Sequence, residues 1–448
     1  MVQEKNLLER LISSIDVWLV LAVFMLISIS FFAIYSASFA YGLSFRYIFV
    51  QAVAVGIGLV CFLFLTSFNY QYYKHFSKVV YILSLMLLAA VLVFGSFKRG
   101  TKGWFDFGFI SFQPVEITKI MFVLVLSAFL DIRVKMSKTL PFLISVFAIL
   151  MGHLILIMMQ PDFSSTLSYF PVTLVLLFVV GANPFYLFCI VVFGGLVVGI
   201  PLLDTFVNLQ LKFIQDGTFF AKLAIFLKND KNVICIIFSI LVFIIGIWRF
   251  LWKLKIEIPI VYPVILCLAI SLGSLASIPV EKSLKDYQRK RLIVFLNPNV
   301  DPKGAGYNII QSKIAIGSGK ILGKGFKKGT QTQLGFLPEQ HTDFIFSVIG
   351  EEGGWLVSQA TIIIYFIFIW RALVIAKESR DRYGSLIAIG IATMFAFYVV
   401  INIGMVMGMM PVTGMPLPLL SYGGSSILSS LCAIGVLCSI NMRRYMYY

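Results

Sequence analysis

Three groups of polar and charged residues in this sequence could take part in chemistry, and the first is His341-Thr342-Asp343. It comes directly before an apolar stretch. A carboxylate that is partly shielded from water at a membrane surface can have a raised pKa and act as a general base. Asp343 could equally be the N-cap of the following helix, and a lone histidine such as His341 more often has a structural hydrogen-bonding role. The residue types alone leave both interpretations open.

The second group is Glu116 and Lys119, near the start of an apolar stretch that opens with Pro114. Residues three apart share one face of a helix, so these side chains should pair near the outer membrane boundary. Ionisable groups at membrane depth are costly and usually mark a function. The pair could also be an internal salt bridge that fixes one helix against another. Asp162, which follows Pro161, is better explained as a helix N-cap.

The third group is a Gly/Lys segment from Gly317 to Gly329, which holds five glycines and four lysines. Glycine lets the backbone approach a ligand closely, and lysine supplies charge for phosphate. The segment does not match the nucleotide-binding P-loop, because Gly323-Lys324 is followed by Gly325 and not by Ser or Thr. A flexible loop that faces lipid headgroups is the alternative to phosphate binding.

Near the C-terminus, Asn402 precedes a run from Pro411 to Ser426 that contains three prolines and the small-residue sequence SYGGSS. Prolines force irregular backbone, which membrane proteins tolerate where it is buried in protein or lines a cavity. Small residues let helices pack closely. A tight re-entrant turn and a binding site both fit this run.

Membrane-spanning helices must position these groups. Of the 448 residues, 60% are hydrophobic and 12% are charged, whereas soluble domains have about 25% charged residues. We therefore predict an all-α, polytopic helical integral membrane protein, in which each span needs roughly 20 apolar residues. Twelve spans are predicted, at 15–38, 46–68, 78–96, 114–131, 140–159, 165–182, 184–202, 232–251, 258–278, 346–373, 385–409 and 416–440. The segment 203–231 is too polar to span, and we expect it to lie along the outer surface as an amphipathic helix.

The basic residues lie mainly in short loops, and their distribution places both termini in the cytoplasm and a large loop, 279–345, outside. The net charge of +16 suits anionic lipid headgroups and not nucleic acid. The six cysteines all lie within apolar stretches without metal-binding spacing, so we expect no protein metal site.

Taken together, the motifs resemble the SEDS family of cell-wall proteins (shape, elongation, division and sporulation). The matching elements, in order, are YSAS at Tyr35, FQPVE at Phe112, QPD at Gln160, YQRKR at Tyr287, GAGY at Gly304, HTDFIF at His341 and PLPLLSYGGSS at Pro416. Segments 311–319 and 329–333 are similar to the rod-shape (RodA) branch of the family.

The resemblance implies a peptidoglycan glycosyltransferase that polymerises lipid II during cell elongation and shape maintenance. It also implies a multi-pass protein of the bacterial cytoplasmic membrane, with the active site on the extracytoplasmic face. The family's essential aspartate corresponds to Asp343, which would act as the general base while undecaprenyl pyrophosphate leaves with inversion. The residues expected to bind or orient the substrate are Glu116, Lys119, His341, Gln331, Lys313 and Ser421.

The resemblance also suggests a cofactor and partners. We expect a divalent cation, Mg²⁺ or Mn²⁺, held mainly by the substrate pyrophosphate, because Mg²⁺ usually needs few protein ligands. The expected partners are lipid II, the nascent glycan chain, a class B penicillin-binding protein that supplies transpeptidation, and membrane proteins of the elongation complex. No nucleic acid is expected.

The chain differs from the family pattern in several places. It is long for the branch, and we predict one integral domain over 1–448 whose ten-helix core is extended by a segment at 203–280 with two extra spans. Gly103-Trp104 stands where Arg-Trp is common, Val115 replaces a serine, and QPDFSS replaces QPDLGT. These changes affect residues expected near the anion, and none of them alters Asp343.

Two other functions fit a polytopic membrane protein of this kind. One is a lipid II flippase, which intramembrane Glu116 and Lys119 would suit. The other is a noncatalytic scaffold that recruits a penicillin-binding protein. The inner halves of the predicted spans are nearly free of charge, which favours the enzyme over a transporter.

Overall fold

The computed structural model describes residues 16–39, 44–98, 101–106, 111–213, 230–256, 259–283 and 306–444, with residues 42, 108, 294, 295 and 304 between them. Fifteen α-helices and three short strands lie within this part of the chain. The helices are α1 Val17–Phe39, α2 Ser44–Ser67, α3 Gln71–His75, α4 Ser77–Phe94, α5 Pro114–Ile132, α6 Leu140–Met159, α7 Phe163–Val180, α8 Pro184–Phe213, α9 Asp230–Lys253, α10 Val261–Ser283, α11 Tyr307–Gly319, α12 Thr330–Gln333, α13 Ile345–Glu378, α14 Arg382–Val406 and α15 Gly424–Met442.

The long helices lie where the apolar stretches predicted spans. Within the described residues, ten helices are long and apolar enough to cross a membrane. Helix α5 is not among them, because it carries Glu116, Lys119 and Asp131. The predicted class, a polytopic helical membrane protein, is confirmed. The total of twelve spans and the position of each end relative to the membrane stay predictions.

The chain forms two compact units. The first contains residues 1–181 and 308–448, and the second contains residues 182–307. In the second unit, α8 and α9 both pack against α10. The prediction of a single domain with an insertion at 203–280 is not tested by this division.

The amphipathic segment predicted at 203–231 differs in part from the structure. Helix α8 continues through Pro201 to Phe213, past the predicted span end at residue 202. A proline inside a helix removes one backbone hydrogen bond and does not always end the helix. The rest of the segment, 214–229, lies outside the described residues, as do most of 284–303 and the YQRKR motif.

Helices α14 and α15 form the centre of the first unit. Over their most apolar stretches, 61% of α14 and 89% of α15 is buried. Helix α15 packs along α2, and Gly435 shows how closely the two approach, because a Cβ there would lie 2.9 Å from the carbonyl oxygen of Phe62. The absence of a side chain at Gly435 therefore allows α15 to pack closely against α2.

Ion pairs gather at one end of this unit, which we call the Arg443 end. Arg371 binds Asp16 through two nitrogens, with Nη2–Oδ2 at 2.6 Å and Nε–Oδ2 at 2.8 Å. Lys74 pairs with Asp131 at 2.6 Å, between the helices α3 and α5. The Arg443 guanidinium itself donates to the Ser67 carbonyl at 2.6 Å, which ties the end of α15 to the end of α2.

A small antiparallel sheet, which the sequence did not predict, precedes α5. Its strands are β1 Ser96–Lys98, β2 Thr101–Asp106 and β3 Ser111–Phe112, in the order β1-β2-β3. Ser96 pairs with Trp104, and Phe105 pairs with Phe112. Because β3 leads directly into Pro114, the sheet fixes the entry of the chain into α5.

Candidate active site

Asp343 lies in a series of turns that ends where α13 begins. The first residue of that helix is Ile345, and its N-cap position is occupied by Phe344. The structure therefore does not support the interpretation of Asp343 as the helix cap. Asp343 is partly buried, at the opposite end of the unit from Arg443. We call this the Asp343 end.

Three successive carbonyl groups of the 341–343 segment accept hydrogen bonds from elsewhere in the fold. In order, the donors are the backbone nitrogen of Tyr422 at 2.9 Å, the hydroxyl of Ser421 at 2.6 Å and the side-chain amide of Asn402 at 2.9 Å. Donors on three successive carbonyls restrict rotation of the peptide planes on both sides of Thr342 and after Asp343. They fix the backbone that carries the candidate base.

The donors are themselves held by the irregular 411–423 segment. The Ser421 hydroxyl accepts from the backbone nitrogen of Leu417 at 2.8 Å, and the Asn402 amide also donates to the carbonyl of Met415 at 2.7 Å. Leu419, in the same segment, is fully buried at φ 67°. The left-handed region costs a residue with a side chain about 1–2 kcal/mol, so the surrounding packing must impose it. The backbone of this segment is irregular and buried, as its prolines predicted. Hydrogen bonds and packing fix its conformation.

His341 is placed between aromatic rings. Its ring centroid lies 4.7 Å from that of Tyr47 and 5.7 Å from that of Tyr422. The imidazole is partly buried. Its ring orientation is therefore limited by α2 on one side and by the 411–423 segment on the other.

Glu116 and Lys119 form the predicted ion pair on α5. The Lys119 ammonium lies 2.7 Å from Glu116 Oε1, and the two side chains are 4% and 11% exposed. Lys119 also contacts the hydroxyl of Tyr398 on α14, and its ammonium lies 4.8 Å from the centre of that ring. The pair therefore links α5 to α14, which agrees with the structural interpretation and leaves room for a functional one.

Helix α14 connects this pair to the Asp343 segment. Tyr398 contacts Lys119, and Asn402 donates to the Asp343 carbonyl. Residues four apart lie on the same face of a helix and about 6 Å apart along its axis. The predicted orienting pair and the predicted base are therefore held by neighbouring residues of one buried helix face.

The start of α5 is fixed at the same end. The backbone nitrogen of Gln113 donates to the Ser425 hydroxyl at 2.8 Å, and its side-chain amide donates to Asp162 at 3.0 Å. Asp162 also accepts from the backbone nitrogen of Ser165 at 3.0 Å, which confirms its predicted role as the N-cap of α7.

Gln331 and Lys313 contact parts of the protein other than the 341–343 segment. The backbone nitrogen of Gln331 donates to Glu351 at 2.9 Å. Lys313 is exposed on α11 and packs against Gly408, where a Cβ would lie 2.6 Å from its ammonium nitrogen. Ser421 thus bonds the 341–343 segment that contains His341 and Asp343, whereas Gln331 and Lys313 belong to adjoining segments. Their substrate-binding roles stay predictions.

Sequence reasoning missed the importance of Asn402 and Tyr398. Asn402 carried a signal, because a polar amide inside an apolar span must find partners. Tyr398 gave none, since a tyrosine in an apolar helix has no distinctive pattern. In the described part of the chain, no group of three or more His, Cys, Asp or Glu residues could hold a metal ion.

Comparisons with known proteins identify the family of the chain. The sequence profile of the FtsW/RodA/SpoVE cell cycle proteins matches residues 14–215 and 207–446. The chain therefore belongs to this family of polytopic membrane proteins, and the resemblance drawn from its motifs is confirmed.

Individual relatives are similar over most of their length. The chain is 35% identical over 444 residues to the peptidoglycan glycosyltransferase RodA of Treponema pallidum (strain Nichols), covering 97% of this chain and 99% of the relative. It is 32% identical over 392 residues to the peptidoglycan glycosyltransferase MrdB of Escherichia coli (strain K12), covering 88% and 85%. The chain is thus a glycosyltransferase of this family.

Solved structures share the fold. One, described as the structural coordination of polymerization and crosslinking by a peptidoglycan synthase complex, matches with a TM-score of 0.66 and 25% identity over 96% of this chain and 99% of that one. The rod shape determining protein RodA of Thermus thermophilus matches with a TM-score of 0.57 and 22% identity, over 96% and 98%. The second match supports the fold alone.

Proposed function

We propose that this protein polymerises lipid II into glycan strands during cell elongation, with Asp343 as the general base. The observation that carries the proposal is the set of three hydrogen bonds that fix the 341–343 backbone. A base must be held within hydrogen-bonding reach of the proton it removes, and a fixed backbone satisfies that requirement before substrate arrives. The names of the relatives support the substrate class.

In the proposed reaction, the 4-hydroxyl of the acceptor sugar gives its proton to the Asp343 carboxylate. Its oxygen attacks the anomeric carbon of the donor on the face opposite the pyrophosphate. The bond from that carbon to the pyrophosphate oxygen breaks, the electron pair leaves with undecaprenyl pyrophosphate, and the anomeric centre is inverted. Because this leaving group departs as an anion, one carboxylate suffices, whereas a glycoside hydrolase needs two.

Positive charge must balance the departing pyrophosphate. Lys119 is the candidate from the chain, and Glu116 and Tyr398 orient its ammonium. Mg²⁺ or Mn²⁺, when bound, would neutralise the pyrophosphate and would be held mainly by its oxygens, because Mg²⁺ usually needs few protein ligands. His341 and Ser421 shape the surroundings of Asp343, and Gln331 and Lys313 are proposed to contact more distant parts of the substrate.

The proposed location is the bacterial cytoplasmic membrane, with the Asp343 end on the extracytoplasmic face. The basic ion pairs of the opposite end support this orientation, because lysine and arginine favour the cytoplasmic side. The proposed partners are a class B penicillin-binding protein and membrane proteins of the elongation complex. The similarity to a synthase complex that coordinates polymerization with crosslinking supports the first of these.

The proposal is tested with purified protein and lipid II, in the presence of a class B penicillin-binding protein and Mn²⁺ or Mg²⁺. Moenomycin is included to inhibit contaminating transferases of the other type. We expect glycan polymer whose new linkages are inverted relative to the donor. Movement of lipid II across vesicles without any polymer would instead favour a flippase, which the buried Glu116–Lys119 pair would also suit.

A further inference from the structure

Helix α13 is interrupted at Gly354, where the backbone takes φ 65° and ψ −164°. The break separates residues 345–353, which follow Asp343 directly, from the long stretch 355–378. The backbone nitrogens of Trp355 and Leu356 donate to the carbonyls of Lys320 and Ile321 at 2.8 and 3.2 Å. The Gly/Lys segment at the end of α11 is therefore joined to the break.

Two glycines of the Gly/Lys segment allow this close contact. A Cβ on Gly319 would lie 2.0 Å from the carbonyl oxygen of Gly350, and one on Gly323 would lie 2.0 Å from that of Glu352. The nitrogens of the next two residues, 324 and 325, each donate to a carbonyl of the 351–352 pair at 3.0 Å. The segment is packed backbone against backbone at Gly319 and Gly323, so neither bound phosphate nor flexibility is needed to explain these two glycines.

Glu351 gathers most of the polar groups that follow. Its Oε1 accepts from the Lys324 ammonium at 2.8 Å, the Thr330 hydroxyl at 3.2 Å and the backbone nitrogen of Gln331 at 2.9 Å. Its Oε2 accepts from the backbone nitrogen and the hydroxyl of Thr332, at 3.0 and 2.8 Å. All five donors belong to residues 324–332.

Because the Glu351 carboxylate is buried, it requires a full set of hydrogen-bonding partners. Glu351 is fully buried, and a buried carboxylate is tolerated only when it is paired and fully hydrogen-bonded. Lys324 supplies the opposite charge and is 26% exposed. A Cβ on Gly329 would lie 2.7 Å from Glu351 Oε2, so the loop lies directly against the carboxylate.

A second attachment holds the same loop to α1. Glu352 accepts from the Ser36 hydroxyl at 2.6 Å and from the Gln333 amide at 3.3 Å. The Gln340 amide donates to the Ala37 carbonyl at 2.7 Å. The loop is thus held between α1 and α13, and it leads directly into the segment that carries Asp343.

We propose that Glu351 is a positioning residue for glycosyl transfer. Together with Lys324 it holds residues 324–332 in a fixed position, an arrangement that we call the clamp. Through this loop it fixes the direction in which the chain enters the Asp343 segment, and it fixes the position of Gln331. This role rests on the proposed function. Asn402 and Ser421 fix the 341–343 segment from the α14–α15 side, and Glu351 fixes the chain that enters it.

The test compares Glu351→Gln with the wild type in detergent. In Glu351→Gln, one of the two carboxylate oxygens is replaced by an NH2 group, which is a donor and would face the donors of Thr332. We expect trypsin cleavage at Lys324, Lys327 and Lys328 to become at least about tenfold faster and lipid II polymerisation to fall at least about tenfold, the change expected for a loss of 1.4 kcal/mol. Cleavage at Lys377 should not change, because it lies on the long part of α13, away from the clamp.

Two further variants complete the test. Glu378→Gln replaces an exposed glutamate of the same helix, 44% exposed at the Arg443 end, and should match the wild type in polymerisation and in cleavage at the loop lysines. Lys324→Met removes the partly exposed partner, and its effects should not add to those of Glu351→Gln, because both break one clamp. It also serves as the test variant if Glu351→Gln fails to fold.

Unchanged cleavage at Lys327 and Lys328, the loop lysines that both clamp variants retain, would overturn the clamp. Faster cleavage with wild-type polymerisation would overturn the positioning role. If the wild type makes no polymer, the proposed function fails and the catalytic role fails with it, while the proteolysis still reports separately on the clamp. Faster cleavage at Lys377 as well would show general unfolding and would contradict a local role.

Discussion

Asn402 makes two hydrogen bonds that join separate loops of the candidate active site. One amide group donates both to the Asp343 carbonyl at 2.9 Å and to the Met415 carbonyl at 2.7 Å. Both acceptors lie in irregular backbone, so no helix or strand replaces these bonds if they are lost. This one side chain therefore ties the Asp343 backbone to the 411–423 segment.

Asn402→Ala should therefore impair catalysis more than folding. Each buried carbonyl left without a donor costs about 1–3 kcal/mol, and the Asp343 carbonyl would be one of them. We expect polymerisation to fall about 10–100-fold, measured at saturating lipid II, with the protein still monodisperse. Thr393→Ala is the matched control, because that hydroxyl only bonds the Ile389 carbonyl of its own helix. Equal activity of the two variants would contradict the role of Asn402.

The Glu116–Lys119 pair allows stability to be separated from function. Lys119→Met leaves Glu116 without its ionic partner, and breaking a buried pair typically costs about 3–5 kcal/mol. The double variant Glu116→Gln, Lys119→Met removes both charges and should recover most of the melting temperature measured in detergent. It should not recover polymerisation, since the ammonium proposed for the pyrophosphate is absent. Recovery of both would reduce the pair to a structural salt bridge.

At the scale of single elements, the Gly354 break shapes the entry to α13. Gly354→Ala should lower the melting temperature, because alanine disfavours φ 65° and its Cβ would lie 2.2 Å from the Gly323 nitrogen. Gly317→Ala is the control, because a Cβ there meets nothing within 4 Å. Thermal unfolding in detergent measures both. A Gly354→Ala variant as stable as Gly317→Ala would mean that the break is not held as described.

The long helices could be predicted from the sequence because apolar stretches of span length have few alternatives in a membrane. The strands β1 to β3 could not, because segments of two to six residues are too short to show an alternating pattern. The break at Gly354 lies inside an apolar run, 346–373, that looks like one span. Its position is set by contact with Gly319 and Gly323, which are distant in sequence.

The candidate site was predictable in part. Asp343 and the Glu116–Lys119 pair were visible as charged groups next to apolar runs, and the family resemblance gave them roles. Glu351 was not identified, although it lies inside the predicted span 346–373, because nothing in the neighbouring sequence shows which groups pair with it. Only the fold shows that its five donors come from a loop about 20 residues earlier in the chain.

In the whole molecule, the proposed orientation places the Asp343 end and the Arg443 end on opposite sides of the membrane. Leu322 is 77% exposed at the first, and Met136 is 53% exposed between α5 and α6 at the second. We expect a membrane-impermeant thiol reagent to modify Leu322→Cys in cells whose outer envelope is permeabilised and whose cytoplasmic membrane is intact. Met136→Cys should react only after lysis. The unmodified protein gives the background of its own cysteines. The reverse pattern would contradict the proposed orientation.

Lipid II polymerisation by Asp343→Asn, compared with the wild type and with Glu378→Gln, directly tests whether Asp343 is the general base. Asparagine keeps the size of the side chain and the backbone hydrogen bonds, but it cannot accept the proton of the acceptor hydroxyl. We expect a loss of at least about 100-fold for Asp343→Asn, as for removal of a general base, and no loss for Glu378→Gln. Polymer at the wild-type rate from a folded Asp343→Asn protein would remove Asp343 from the mechanism.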